Sequence, residues 1–206
     1  CNHGAKIVFY SHGYVTGECE KVIRGIVSEV IIRPNAGFDV LAYKEGLEKI
    51  EFDRERKIDE VLMVNHTCYG PIYPFIEMFS EMETRECDFW GVTAHMEMVP
   101  NPFTGTGRLP YHINTNFLVV RADLLRSPPF RKYWGSIKGA DTYEAAIQEH
   151  ETRFTEHFTE LGYVSDTYLD CRKYGTHYPA ILDVDETLVD RNPLLKRRAF
   201  FHDPRF

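Results

Sequence analysis

A polar triplet, Asn65-His66-Thr67, comes directly after the apolar run of residues 60–64 (EVLMV). The oxygen atoms of such a triplet can bind a sugar diphosphate, or a metal ion that is itself bound to the diphosphate. Histidine can also bind manganese. The triplet can also be explained without a ligand, as a structural loop. Asparagine and threonine are common loop residues, and a lone histidine is more often a structural hydrogen-bonding group than a ligand.

A second polar segment follows the apolar run of residues 30–33 (VIIR) and contains Asn35, Gly37 and Asp39. Glycine permits close approach of a ligand to the backbone, and the two polar side chains offer hydrogen bonds to a ribose or a base. Asparagine and glycine also occur at strand-to-helix turns for conformational reasons alone. Both interpretations remain open from the residues.

Glu151 is notable for its place in a helix predicted over residues 141–161. The apolar stripe of this helix runs through Ile147 and Phe154, and the four-three spacing places Glu151 between them. A carboxylate on the core-facing side costs on the order of several kcal/mol unless it is paired or faces a wet cleft. Glu151 is therefore either paired with an arginine or a catalytic base that projects into an active site, and we favour the base.

Residues 181–190 (ILDVDETLVD) resemble the first motif of haloacid-dehalogenase-type phosphatases, an apolar strand followed by DxDxT. In that interpretation Asp183 is the nucleophile and Asp185 the general acid. The later motifs of such phosphatases need a lysine and a magnesium-binding acidic pair downstream, and few residues follow Asp190. The phosphatase interpretation is therefore kept only as an alternative.

Composition and charge narrow the function classes. The chain has 206 residues, with 43% hydrophobic residues and a net charge of −7, which disfavours a phosphate-tracking nucleic-acid surface. Its five cysteines are scattered without a CxxC pair, so we predict a reducing, cytoplasmic location. No apolar run approaches the length of a membrane span and no signal peptide is evident. The basic run Lys196-Arg197-Arg198 is a solvated face or meets a diphosphate or an anionic lipid head group.

The order of the predicted elements indicates the fold class. Strand-like apolar runs are predicted over residues 30–33, 60–64 and 112–121, and the run of residues 60–64 is typical of a strand covered on both faces. They alternate with helical patterns over residues 38–50 and 141–161, and Gly162 is predicted to end the second of these helices. This alternation predicts one α/β domain over residues 1–206, with a mainly parallel sheet and helices on both faces. Ligands in such sheets bind beyond the carboxyl ends of the strands, where the polar segments lie. Because the chain opens with Cys1 and a core strand follows at once, we expect a fragment of a longer protein.

Taken in order, several segments resemble the rhamnan synthesis protein F family of bacterial polysaccharide glycosyltransferases. Residues 33–48 resemble the family's N-x-G-[YF]-D segment, and residues 59–79 its strand that ends in N-D-S before Y-G-P. Residues 88–93 (DFWGVT) are similar to its D-F-W-G-[LV]-T, and residues 111–120 (YHINTNFLVV) to its H-I-Q-S-Y-F-L strand. The shared order of these segments makes the resemblance specific. The resemblance also implies that the family's opening strand is missing before Cys1.

The resemblance implies a GT-A-like (Rossmann-like) fold and transfer of a sugar, often rhamnose, from a dTDP- or UDP-sugar. The acceptor would be a cell-surface glycan or lipid-linked glycan, reached at the cytoplasmic face of the membrane. The implied donor-binding residues are Asn35, Gly37, Asp39, Asn65, His66, Thr67, His112 and Lys196.

Further roles are implied for single residues. Glu151 matches the position of the base in similar inverting enzymes. His66 stands where the family usually has aspartate, which makes it the candidate ligand for Mn²⁺ or Mg²⁺. From their residue types, Trp90 and Tyr111 are candidates for a flat apolar wall against a sugar, although both types are more often core residues. Asn114, in a triplet that replaces the family's Gln-Ser-Tyr, would affect acceptor choice. A rival class is a non-catalytic carbohydrate-binding or assembly module that has lost the acidic motif.

Overall fold

The computed structural model describes residues 5–34, 37–49, 58–139, 142 and 150–201. The chain divides into two compact units. The first comprises Cys1–Lys57 with Lys132–Ala146, and the second comprises Ile58–Arg131 with Ile147–Phe206. The expectations of a single domain over residues 1–206 and of a missing first strand stay predictions.

The first unit contains a parallel pair of strands with a helix between them. Strand β1 (Val8–His12) pairs with β2 (Glu29–Arg33), and helix α1 (Gly17–Arg24) connects them. A parallel pair needs such a crossover connection, because a tight turn reverses the chain direction. The Thr16 side chain caps α1 by accepting a hydrogen bond from the Cys19 amide at 3.2 Å. Helix α2 (Phe38–Lys49) follows β2, as the sequence predicted.

The second unit holds the remaining described elements. Its strands are β3 (Glu60–Val64), β4 (Cys68–Tyr69), β5 (Phe89–Gly91), β6 (Ala94–His95), β7 (His112–Ile113), β8 (Phe117–Arg121), β9 (Ser165–Thr167) and β10 (Leu195–Lys196). Its helices are α3 (Phe75–Glu83), α4 (Ala122–Arg126), α5 (Pro128–Ser136, which extends into the first unit's segment), α6 (Thr152–Glu160), α7 (Pro179–Leu182), α8 (Val184–Val189) and α9 (Arg198–Phe201).

The main sheet of the second unit is mixed, so the predicted mainly parallel, GT-A-like (Rossmann-like) sheet is wrong. Its strand order is β3-β8-β5-β9. Strand β8 lies between β3 and β5 and is antiparallel to both, and β5 is parallel to β9. The reason lies in the connection from β5 to β8. That connection is the antiparallel β6–β7 pair and not a crossover helix, so β8 returns in the opposite direction.

Two strand predictions need a local correction. Residues 60–64 were expected to be covered on both faces, yet burial alternates along β3, and Leu62 and Val64 are 40% and 52% exposed. This alternation is typical of a strand with one face on the core. Residues 112–121 were expected as a single strand, but a turn at residues 114–116 divides them into β7 and β8.

The core of the second unit is aromatic. Trp90, fully buried on β5, packs edge-on against Phe79 of α3 with ring centroids 5.6 Å apart. On the other face, Phe89 packs against Phe154 of α6 at 5.4 Å. Gly162 follows α6 with a positive φ of 92°, which confirms it as the residue that terminates this helix. Most of the predicted first half of the helix, residues 143–149, lies outside the described residues.

Residues 181–190 are helical, so the predicted strand of a phosphatase motif is wrong. Asp183 lies between α7 and α8, and its carboxylate accepts a hydrogen bond from Thr176. Pro179 begins α7, where the missing amide hydrogen of proline costs nothing. The apolar residues of this segment therefore follow helical and not strand geometry, and Asp183 is not at a strand end.

Candidate functional site

The turn at residues 114–116 holds the carboxylate of Glu151. The Thr115 backbone amide donates a hydrogen bond to Glu151 Oε1 at 3.2 Å. The helix that follows Glu151 contacts the residue just before this turn, because the Ile113 amide donates a hydrogen bond to Thr155 Oγ1 at 3.0 Å. Glu151 is half-buried. Within the described residues, no arginine or lysine forms an ion pair with it, so the arginine-paired alternative finds no support there.

The same turn contacts the polar triplet after β3. The Asn65 amide donates to the backbone oxygen of Asn116 at 3.1 Å. The Asn116 side chain donates through Nδ2 to Cys68 Sγ at 3.2 Å. Glu151 and the triplet are therefore connected through two adjacent residues of one turn, Thr115 and Asn116.

Within the triplet, Asn65 organises Thr67. Asn65 Oδ1 accepts hydrogen bonds from the Thr67 amide at 3.1 Å and from Thr67 Oγ1 at 2.5 Å. Such a short-range side-chain-to-backbone bond fixes a turn without regular secondary structure. The Thr67 hydroxyl oxygen in turn accepts a hydrogen bond from Lys196 Nζ at 3.2 Å.

Lys196 reaches the triplet because β10 pairs with β4. In this antiparallel ladder Lys196 lies opposite Cys68, and the Arg197 amide donates to the Thr67 carbonyl at 3.0 Å. Burial raises the pKa of the Cys68 thiol, and the Lys196 charge offsets part of that effect. The thiol is therefore neutral at physiological pH and acts as a weak acceptor for Asn116.

These contacts define the candidate site: Glu151, Thr115, Asn116, Asn65, Thr67 and Lys196. It combines one carboxylate with one ammonium group and several polar groups in a connected network. A carboxylate can accept a proton from a hydroxyl group, and an ammonium group can stabilise a phosphate.

The residues around the triplet do not fit a divalent metal centre. His66 is exposed, and its backbone oxygen accepts a hydrogen bond from Arg197 Nη1 at 3.3 Å. Asn65 Oδ1 already accepts two hydrogen bonds from Thr67. Among the residues that the structure describes, no group of three or more His, Cys, Asp or Glu side chains is arranged to hold a metal ion. Mn²⁺ and Mg²⁺ prefer several oxygen ligands, which this set does not supply.

Two of the predicted acceptor residues are engaged in packing. Trp90 is fully buried in the aromatic core and exposes no ring face. Asn114 is 2% exposed, and its Oδ1 accepts a hydrogen bond from Thr93 Oγ1 at 2.9 Å. Tyr111 is half-buried, and burial raises the pKa of its hydroxyl group to about 12. The acceptor roles of Tyr111 and Asn114 stay predictions, whereas the Trp90 ring is not accessible to a sugar.

His112 belongs to a histidine cluster. It stacks on His95 with ring centroids 5.1 Å apart, and His177 and Tyr178 also contact the His95 ring. His112 Nδ1 lies 2.7 Å from the Pro110 carbonyl oxygen, to which it can donate. Burial, with a smaller effect of His112, lowers the pKa of His95 to about 4. A contact of His112 with a diphosphate stays a prediction.

The nucleotide-binding candidates lie at the start of α2 in the first unit. Gly37 has a positive φ of 69°, and an added Cβ would meet Leu41 Cβ at 2.8 Å. Glycine is therefore required there by the backbone and by close packing. Asp39 lies in the first turn of α2, and Asn35 lies outside the described residues.

Thr115 and Asn116 of the candidate site, and Cys68, which contacts Asn116, were not predicted from the sequence. A signal was present for Thr115 and Asn116, since a polar triplet interrupts the otherwise apolar run of residues 112–120. Such an interruption favours a turn over a continuous strand. Cys68 carries no comparable signal in its neighbours.

The structure defines a mixed α/β protein with one carboxylate and one lysine in a polar network beside its main sheet. The chain matches Rhamnan synthesis protein F over residues 7–205 and belongs to that family. Membership connects the chain with the synthesis of rhamnan polysaccharide.

Other comparisons add little. No curated protein shows significant similarity to the chain. Among solved structures, the chain is similar to "Crystal Structure of A197 from STIV", with a TM-score of 0.34 and 11% sequence identity. The similarity covers 64% of this chain and 78% of that chain, and it carries no argument at this score. No helix among the described residues has both the length and the apolar character needed to span a bilayer.

Proposed function

We propose that this chain is a glycosyltransferase that moves a sugar, rhamnose first among the candidates, from a dTDP- or UDP-sugar to a growing polysaccharide. The observation that carries the proposal is the Glu151 carboxylate, held by the Thr115 amide at 3.2 Å and connected through Asn116 to the Thr67–Lys196 pair. Membership of a polysaccharide-synthesis family supports the same reaction class.

In the proposed step, Glu151 takes the proton of an acceptor hydroxyl group. The acceptor oxygen forms a bond to the anomeric carbon of the donor sugar as the bond from that carbon to the diphosphate oxygen breaks. The nucleoside diphosphate leaves with the electron pair. A single base and direct displacement lead to inversion at the anomeric carbon.

Lys196 and Thr67 are proposed to stabilise the departing diphosphate. Negative charge grows on the leaving oxygen during the step, and an ammonium group positioned in advance lowers its energy. The Thr67 hydroxyl group already accepts from Lys196 Nζ at 3.2 Å, which leaves its own proton to donate. In the structure that proton is directed to Asn65 Oδ1, so a phosphate oxygen would compete with this acceptor.

The proposed step does not require a divalent metal, because Lys196 supplies positive charge beside Thr67. The roles of Asn35, Gly37 and Asp39 with the nucleotide, and of His112 with the diphosphate, are retained as proposals. Tyr111 and Asn114 are retained as acceptor candidates. Trp90 is left out, because its ring lies inside the core.

The proposal is tested with a panel of dTDP- and UDP-sugars. A ligand that binds only the native state raises the unfolding temperature, so a thermal-shift screen identifies the donor. NMR of the product then reports the anomeric configuration. Inversion is the expected result, and retention would exclude the single-base scheme.

A non-catalytic module is the second candidate, and the poor fit of the residues around His66 to a metal centre favours it. Such a module would bind glycan but show neither transfer nor donor hydrolysis with any nucleotide sugar. Transfer that depends on Glu151 would exclude it. The phosphatase alternative loses its support, because Asp183 lies between two helices.

A further inference from the structure

We infer that a second surface of this protein binds an anionic lipid bilayer. We call it the aromatic–basic surface and define it by Tyr69, Arg197, Arg198, Phe200 and Phe201. The inference goes beyond the proposed function, because it concerns where the protein is held and not which bond it forms.

Aromatic side chains form the apolar part of this surface. Phe200 and Phe201 on α9 are 59% and 66% exposed, and Tyr69 on β4 is 44% exposed. The rings of Tyr69 and Phe200 meet edge to face with centroids 6.2 Å apart. Water therefore contacts a group of neighbouring aromatic rings that would gain by transfer to the interface of a bilayer.

Arginine side chains form the basic part. Arg197 and Arg198 are both exposed, and neither forms an ion pair with any residue that the structure describes. The guanidinium carbon of Arg197 lies 5.5 Å from the centroid of the Tyr69 ring. Because the chain as a whole carries a net charge of −7, this positive surface differs in sign from the average of the molecule.

The short β10–β4 ladder places this surface next to the candidate site. Adjacent residues of a strand point to opposite faces, so Cys68 and Lys196 share one face of the ladder while Tyr69 and Leu195 share the other. Lys196 contacts Thr67 on the site face, and Tyr69 contacts Phe200 on the surface face. A bilayer bound at the aromatic–basic surface would thus lie close to the site.

The combination of groups favours a bilayer over other occupants. Exposed phenylalanine with arginine on one surface matches the apolar interface and anionic head groups of a membrane. A soluble polyanion would bind the arginine side chains but would gain nothing from the exposed phenylalanine rings. If a second copy of this chain bound through the same surface, the arginines of the two copies would repel each other.

Flotation with vesicles tests the inference. The full chain is mixed with vesicles of phosphatidylcholine alone or of phosphatidylcholine with phosphatidylglycerol, at low and at high salt. We expect binding to the anionic vesicles, weakened by salt. The double variant Arg197→Gln with Arg198→Gln should bind about 25-fold more weakly at low salt, since each arginine near an anionic surface contributes roughly fivefold.

A second variant tests the apolar part. Phe200→Ser with Phe201→Ser should bind anionic vesicles at least about tenfold more weakly, and it should transfer sugar to a soluble acceptor as the wild type does. The matched control is Val189→Ser with Arg172→Gln, which removes one exposed apolar side chain (81% exposed) and one exposed arginine elsewhere and should bind as the wild type does. Unfolding temperatures verify that each variant is folded.

Three results would overturn the inference. The wild type binds neither vesicle, it binds neutral and anionic vesicles equally, or the control variant loses as much binding as the other two. Self-association that the Phe200→Ser, Phe201→Ser variant abolishes, without vesicle binding, would assign the surface to a second copy. None of these results bears on transfer to a soluble acceptor, which tests the proposed function separately.

Discussion

The ammonium group of Lys196 donates a hydrogen bond to the hydroxyl oxygen of Thr67, 3.2 Å away. The two residues are distant in the chain and meet because β10 pairs with β4 in an antiparallel ladder. The contact gives the triplet after β3 a positive charge that its own residues lack. A positive group at that position is what a departing diphosphate needs.

Replacement of Lys196 should weaken donor binding. Lys196→Met removes the charge and keeps much of the side-chain volume. A hydrogen bond to a charged group contributes about 1.5–3 kcal/mol, so we expect the Kd for the donor to rise roughly 10- to 100-fold. Calorimetric titration measures this change. The exposed Lys173→Met variant is the control, and an equal effect in both variants would contradict a specific role for Lys196.

Removal of divalent metal should leave transfer active. The described residues near His66 do not form a metal centre, and Lys196 supplies positive charge near Thr67. We expect the transfer rate in EDTA to stay within about threefold of the rate with Mn²⁺, since Lys196 replaces the metal's electrostatic role. Complete loss of transfer in EDTA, restored by Mn²⁺, would show that further residues of the protein bind a metal ion needed for transfer.

Two glycines should respond in opposite directions to alanine. At Gly91 on β5, an added Cβ would collide with Ile113 Cγ2 and lie 3.0 Å from the Phe117 carbonyl oxygen, so Gly91→Ala should lower the free energy of unfolding by about 1–3 kcal/mol. At Gly46 on α2 nothing lies within 4 Å, and Gly46→Ala should raise it by about 0.5–1 kcal/mol. Urea unfolding measures both values. A neutral Gly91→Ala variant would mean that the β5–β7 packing is looser than described.

The histidine cluster should make stability depend on pH. Burial lowers the pKa of His95 to about 4, below its ordinary value of 6.5, so the unfolded chain binds a proton at this residue that the folded chain does not. Stability is therefore lost as the pH falls from about 6.5 toward 4.

The variant His95→Gln isolates this effect. Between pH 7 and pH 5, the wild type should lose about 2 kcal/mol more of its free energy of unfolding than the variant does. Urea unfolding at three pH values measures the difference, and His66→Gln, which changes an exposed histidine, is the control. Parallel pH curves for wild type and His95→Gln would show that His95 is not held in a desolvated position.

The sequence predicted the elements better than their directions. Apolar runs located β2, β3 and β8, and the helical pattern located α2. Strand direction depends on the connection between strands, and the β6–β7 pair that reverses the chain before β8 has no apolar period of its own. The exposure of Leu62 was also not predicted. An apolar residue can lie on the solvent-facing side of a strand, so an apolar run alone does not show that both faces are covered.

The site was predictable where a residue conflicted with its surroundings. Glu151 interrupts an apolar helical stripe, and the structure places its carboxylate against the turn at Thr115. Lys196 was a candidate from the basic run and from family resemblance, but its contact with Thr67 was not predictable because it depends on long-range strand pairing. The polar triplet 114–116 signals a turn, but the contacts of Asn116 were missed because its backbone oxygen and its side-chain amide meet residues distant in the chain.

The most direct measurement is the transfer rate of Glu151→Gln at saturating donor, with donor affinity measured in parallel. Glutamine can still accept the hydrogen bond from the Thr115 amide, so the variant should fold and bind the donor as the wild type does. It cannot take the acceptor proton, and we expect kcat to fall by about 10²- to 10⁴-fold. An unchanged kcat with intact donor binding would contradict the assignment of Glu151 as the base.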